Sequence, residues 1–403
     1  MEHPSVTNFR NYIRIKTVPP NPDYASCTRF LQEQAKELGV KCEVIEYVPG
    51  LPVVLMTLAG QDPSLPSLLL NSHTDVVPVF PEHWKYEPFS GDKDDNGDIY
   101  GRGTQDMKCV GIQYLEALKT LKKDGHEFLR TIYISFMPDE ETGGLDGMKN
   151  FVKSDVFKKM NVGFALDEGH ANPTDNFYVF YGERTVLPIK VKCPGQPGHG
   201  SQFLTNTAGE KLYKVIDSFL SYRDEQEHLL KENKNLCLGD VNTVNLTMLE
   251  GGVQYNVVPA ELNVGFDIRV SPTQDLTKFE EKITSLCKSA GEDVTYEFVV
   301  NKLPQASEGQ NQVTCVEDGK NPWWDAFSQA CKHQGVNLEK QILCGGTDIR
   351  YLRQVNIPAL GFSPINRTPI LLHDNNEFLN EKIFLRGIEI YKTIISALAN
   401  MKN

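Results

Sequence analysis

The chain has 403 residues, 40% of them hydrophobic, which suits two or three packed domains better than one. A formal net charge of −12 with no basic block argues against nucleic acid or an anionic membrane as partner, since both demand a positive footprint. No run approaches the ~18 apolar residues of a membrane span, and the opening MEHPSVTNFRNY lacks the charged-then-apolar layout of a signal peptide.

In chain order, Val6, Phe9 and Ile13 keep helical spacing, as do Phe30, Leu31, Ala35 and Leu38 before a terminating Gly39. Strand-like runs follow at CEVIEYV, VVLMTLAG and LLLNSH. A helix is predicted over VGIQYLEALKTLKKDG, with Ile112, Leu115 and Leu118 on one face and Gly125 as its stop. Two further apolar runs, TIYISFM and VGFALDE, complete an alternation of helices and continuous apolar strands. That pattern predicts an α/β fold whose mostly parallel sheet is covered on both faces.

Near residue 185 the texture changes. Leu187, Ile189 and Val191 alternate with other residues, which marks a strand with one wet face. The order then reads strand, helix, strand, strand, helix, strand through VTYEFVV, the β-α-β-β-α-β arrangement of ferredoxin-like domains. The expected organisation is therefore a first catalytic part over 1–184, an inserted domain over 185–302, and a second catalytic part over 303–403. The last part carries a helix from NPWWDAF, a strand at IPALGF and a long terminal helix, EKIFLRGIEIYKTIISAL. Nine cysteines, odd in number and without a CxxC pair, predict reduced thiols and a cytoplasmic location.

Polar residues gather where the apolar strands end. LLLNSHTD closes on His73 and Asp75, TIYISFMPDEE on Asp139, Glu140 and Glu141, and VGFALDE on Asp167 and Glu168. Asp106 lies in GRGTQDMK just before a helix, and His373 follows PILLHD's apolar run. Each has a plainer explanation alone: a capping acid, a solvated turn, a core histidine with a partner. Their repetition points to a cation, because ligands in open parallel sheets bind outside the carboxyl ends of the strands. Imidazoles mixed with carboxylates suit zinc, with cobalt or manganese as alternatives. There are more candidates than one catalytic zinc uses, which favours two metals sharing a carboxylate. Signals for phosphate loops, dinucleotide folds, GxSxG and HExxH are absent.

The ordered stretches SHTDVVPV, GRGTQDMKCVGIQYLEA, PDEETGG, ALDEG, PGHGS, YNVVPA, FDIRV, GGTDIR and LLHD resemble the dizinc exopeptidase and aminoacylase family. The resemblance implies that His73 and Glu168 hold one zinc, Glu141 and His373 a second, and Asp106 bridges both. It implies that Asp75 orients His73 and that Glu140 is the general base. His199 would stabilise the oxyanion from the inserted domain, in the active site of the other subunit of a homodimer. Arg350, whose planar fork suits a carboxylate, Asn256 and, more weakly, Arg269 would contact the substrate. For Arg269 an ion pair with Asp267 explains the residue equally well. The implied activity is zinc-dependent hydrolysis of N-acyl, chiefly N-acetyl, L-amino acids. The alternatives are a dipeptidase or carboxypeptidase on the same scaffold, or a metal-bound binding protein without turnover.

Overall fold

The computed structural model describes residues 2–299 and 313–402. The expected boundary at 302/303 lies outside the described residues. The chain divides into two compact units, one of Met1–Tyr181, Val313–Lys340 and Thr347–Asn403, the other of Gly182–Gln312 and Gln341–Gly346. The short segment Gln341–Gly346 differs from the organisation expected from sequence, which kept it with the catalytic part. It joins the second unit through backbone and packing contacts. Arg184 donates its N–H to the Leu343 carbonyl at 3.1 Å and its guanidinium to the Cys344 carbonyl at 3.0 and 3.1 Å. Gly239 lies against Ile342 so closely that a Cβ would meet its carbonyl oxygen at 2.2 Å.

An eight-stranded sheet runs in the order Lys41–Glu46, Pro52–Leu58, Ile132–Met137, Ser67–His73, Val162–Asp167, Ala359–Gly361, Phe177–Glu183 and Leu338–Leu343. The four central strands are mutually parallel, while Lys41–Glu46, Pro52–Leu58 and Phe177–Glu183 pair antiparallel. Ser67–His73 is buried at every residue. Leu68 and Leu70 point into one core cluster and Leu69 into another, so the strand needs apolar residues on both faces. The larger cluster lies under the helices Pro4–Ile13, Tyr24–Leu38, Lys108–Lys123, Pro322–His333 and Glu381–Ala399. Tyr24–Leu38 begins on Asp23, whose carboxylate accepts the Ser26 N–H, and ends on Gly39 in the left-handed region at φ 67°. Register aligns the ends that matter for chemistry: His73 pairs with Met137, and Asp167 with Gly361.

The second unit is built on an antiparallel sheet ordered Thr243–Gly251, Glu261–Val270, Ile189–Pro194 and Thr295–Phe298, with Thr185–Val186 also paired to Glu261–Val270. Helices Ala208–Glu232 and Leu276–Lys288 cover it, and Val191, Phe219, Phe266 and Ile283 form part of its own core. Phe219 stacks on Phe266 with centroids 4.5 Å apart. Among the described residues no helix is long and apolar enough to cross a membrane.

Candidate metal centre

The strand Ser67–His73 delivers the His73 imidazole, which is 1% exposed, to the carboxyl edge of the parallel sheet. Its Nδ1 lies 2.9 Å from the backbone carbonyl of Asp75. A carbonyl can only accept, so Nδ1 carries a proton, and a neutral ring then offers its Nε2 lone pair to a cation. Nε2 faces Asp106 Oδ1 at 2.9 Å and Glu168 Oε2 at 3.4 Å. The Asp75 carboxylate lies between the His73 ring and the turn that bears Glu140 and Glu141. It lies 3.6 Å from Nδ1, while its two oxygens accept the backbone N–H groups of Glu140 at 3.2 Å and Glu141 at 3.1 Å.

Asp106 stands in the loop just before helix Lys108–Lys123, and the Asp106–Met107 peptide is cis. Its second oxygen, Oδ2, lies 3.3 Å from His373 Nε2, which is also 3.2 Å from Glu141 Oε2. Two sets therefore share Asp106: His73, Asp106 and Glu168, and Asp106, Glu141 and His373. Within each set the donor atoms all lie within 4.8 Å of one another. Glu140 and Glu141 come from a single turn after strand Ile132–Met137, started by Asp139 at φ 62°. The Asp139 carboxylate closes that turn by accepting the N–H groups of Asp146 and Gly147 at 2.9 and 2.8 Å. His373 also sits at positive φ, 60°, an uncommon conformation for a side-chain-bearing residue.

The electrostatics call for a cation. Burial pushes the Glu168 and Glu140 carboxyls well above the ordinary range, with Asp106 adding to the first and Glu168 to the second. Burial, then Asp106, pushes Glu141 up to about 7. Asp106 would also be raised by burial, yet hydrogen bonds from His373 and His73 hold it well below the usual range. Burial alone would lower His73, but Glu168, Asp106 and Asp75 hold it well above its usual value. His373 is raised to about 10 by its bonds to Asp106 and Glu141. Protons on imidazoles stand here where positive charge is needed. Glu141 Oε1 is buried with no hydrogen-bond partner among the described residues, an acceptor that a cation would satisfy. Nitrogen and carboxylate donors in such sets fit a divalent metal of borderline softness.

Glu140 is 9% exposed and adjoins both sets without belonging to either. Arg350 donates to the Gly143 carbonyl at 2.7 Å, as does the Tyr351 hydroxyl at 2.6 Å, so the start of helix Ile349–Gln354 grips the turn that bears Glu140. Sequence reading gives Asp348 no role, although it lies in GGTDIR. It is fully buried, neither carboxylate oxygen has a partner among the described residues, and burial holds its pKa well above the usual range. His199, Asn256 and Arg269 lie in the second unit. Exposed His199 accepts the Ser201 N–H at Nδ1, and Gly200 donates its N–H to the Asn256 carbonyl at 2.8 Å, so those two motifs adjoin. Arg269 makes a two-pronged bond to Asp267 at 2.7 and 3.0 Å, the ion pair weighed against substrate binding.

Two imidazole–carboxylate sets that share Asp106, with His73, Glu141 and Glu168 at the carboxyl edge of a parallel sheet, mark the centre of a metal-dependent enzyme. Residues 69–397 match the model of peptidase family M20/M25/M40, and the chain belongs to that family. It is 54% identical to mouse (Mus musculus) aminoacylase-1 over 400 residues, covering 99% of this chain and 96% of that protein. It is 45% identical to aminoacylase-1 of Dictyostelium discoideum, covering 100% and 99%. In fold it is similar to the M20 family metallo-carboxypeptidase Sso-CP2 from Sulfolobus solfataricus, with a TM-score of 0.73 at 18% identity, covering 99% of this chain and all of that one.

Proposed function

We propose that this chain hydrolyses N-acyl L-amino acids, chiefly N-acetyl ones, to a carboxylate and a free amino acid, using two zinc ions per subunit. It is a metal-dependent amidohydrolase. The substrate class is supported by the near-full-length identity to aminoacylase-1, and the chemistry by Asp106, whose two oxygens face His73 and His373. His73 and Glu168 would hold one ion, Glu141 and His373 the other, and Asp106 both. When bound, the ions supply positive charge that makes water more acidic and steadies the developing charge on the acyl oxygen.

The chain's own residues do the rest. Glu140, held in place through its N–H by Asp75, takes a proton from the attacking water and returns it to the leaving amine. In the metal-free protein burial and then Glu168 raise its pKa. Arg350 is the candidate for the substrate carboxylate, and its bond to Gly143 ties it to the turn that bears Glu140. His199 and Asn256 are the candidates from the second unit for the oxyanion and the substrate. We assign that unit the role of a lid and dimerisation domain in a cytoplasmic homodimer. All nine cysteines are free, which fits a reducing compartment.

The test pairs metal content per subunit with turnover before and after chelation. N-acetylmethionine should be hydrolysed well by a protein holding two zinc ions, lost on chelation, and preferred over dipeptides. Glu140→Gln should keep its metal and lose about 100- to 10,000-fold in kcat. Preference for dipeptides would move the function to the carboxypeptidase branch, and full activity with one metal would remove the paired site.

A further inference from the structure

Two loops meet at the shared aspartate, and one fully buried carboxylate lies at their junction. Glu377, 0% exposed, belongs to the segment after His373. Its Oε1 accepts the N–H groups of Gln105 at 2.6 Å and Asp106 at 3.4 Å and the Thr104 hydroxyl at 3.3 Å. Its Oε2 accepts the Gly103 N–H at 3.1 Å and the Arg102 Nη1 at 2.6 Å. Arg102 in turn donates Nη2 to the carbonyl of Asp374, the residue after His373, at 3.1 Å. The Gln105 side chain adds a second tie, donating to the carbonyls of Pro369 at 3.1 Å and Phe378 at 2.8 Å and accepting the Leu371 N–H at 3.1 Å.

We infer that Glu377 is a positioning residue that fixes where Asp106 and His373 meet, and so shapes the cation site formed by Asp106, Glu141 and His373. Its oxygens are filled by donors from the Asp106 loop, so it is no ligand itself. Charge-assisted bonds to five consecutive residues, Arg102 through Asp106, hold that loop in one shape, and Arg102 both neutralises the buried charge and carries the constraint to the His373 side. Gly101 closes the same junction by donating its N–H to the Glu377 carbonyl at 3.0 Å. This rests on the reading of Asp106, Glu141 and His373 as metal ligands.

The experiment titrates metal-free protein with Co²⁺, reading affinity and the visible absorption bands that report ligand geometry. Glu377→Gln keeps size but removes the charge and turns a donor toward an N–H. It should weaken Co²⁺ binding by about 10-fold or more and alter the bands, as loss of a group supporting a ligand does. Ile394→Val, a core change in the terminal helix, should lower stability while leaving both readouts at wild-type values. If Glu377→Gln does not fold, Gln105→Met decides: it spares the ion pair, cuts the three ties from Gln105, and should still weaken Co²⁺ binding. A folded variant of either kind with wild-type affinity and bands overturns the inference. A wild-type protein that takes up no Co²⁺ overturns the metal reading beneath it.

Discussion

At the scale of single residues, the site depends on what a carboxylate is bonded to more than on where it stands in the sequence. Asp75 and Asp106 are both buried beside His73, yet only Asp106 faces a ring nitrogen free to bind. Asp75 has its two oxygens on the N–H groups of Glu140 and Glu141, so it sets the position of the base and of one ligand together. Asp75→Asn leaves one acceptor and points an NH₂ at an N–H. The bond from His73 Nδ1 goes to the backbone carbonyl and survives the change. The expected result is a fall of about 100-fold in kcat from a displaced base, with metal binding weakened only at the set that contains Glu141 and KM within a few-fold of wild type. Loss of metal from both sets in Asp75→Asn would instead show that the carboxylate acts through His73 as well. Kinetics together with metal analysis of the purified variant separate the two.

At the scale of elements, the distance between His73 and Asp106 is set by how closely helix Lys108–Lys123 lies on the sheet. Gly111 makes the contact: a Cβ there would meet Phe136 Cε1 and Ser72 Oγ, each at 2.8 Å. Ser72 directly precedes His73, and the helix starts two residues after Asp106. Gly111→Ala should therefore push helix and strand apart by several tenths of an ångström, destabilise by about 1–3 kcal/mol through overpacking, and weaken metal binding. Thermal melts and a Co²⁺ titration measure both, and an unchanged affinity would show that the loop alone places Asp106. The sequence made the strand end legible because Leu68, Leu69 and Leu70 leave no ambiguity about burial, and Gly39 stops its helix plainly. It hid strand Leu338–Leu343, whose LEKQIL is half polar because it lies at the sheet's end. The five candidate ligands could be found from strand ends and motif order. The work of Glu377 could not, because its neighbours in space are remote in sequence: it contacts residues 271 to 275 positions away.

At the scale of the whole molecule, the buried acids tie folding to metal and to pH. Burial raises Glu140, Glu141, Glu168 and Asp348 above their unfolded values, and ion pairing raises His73 and His373. A raised pKa of either kind means that the metal-free folded state holds more protons than the unfolded chain, so stability falls as pH rises. For Glu141 the loss runs from its unfolded value of about 4.3 up through about 7. The part supplied by His373 is whole below its unfolded pKa of about 6.5 and fades toward about 10. Asp106 has the opposite sign, being depressed, but its contribution is lost only as pH falls through the acid range below this window. A bound cation replaces these protons and releases them, so its affinity increases with pH. The melting temperature of chelated protein should therefore drop between pH 5.5 and 8, while the metal-loaded protein stays level or gains. The gap between them should widen with pH, reaching about 4 kcal/mol of added stability once free metal is about 1,000 times Kd. Paired thermal melts at four pH values, with and without chelator, measure the gap directly. A gap that stays constant or narrows as pH rises would mean that the acids around Asp106 keep their unfolded proton affinities, and that the metal is held by residues other than these.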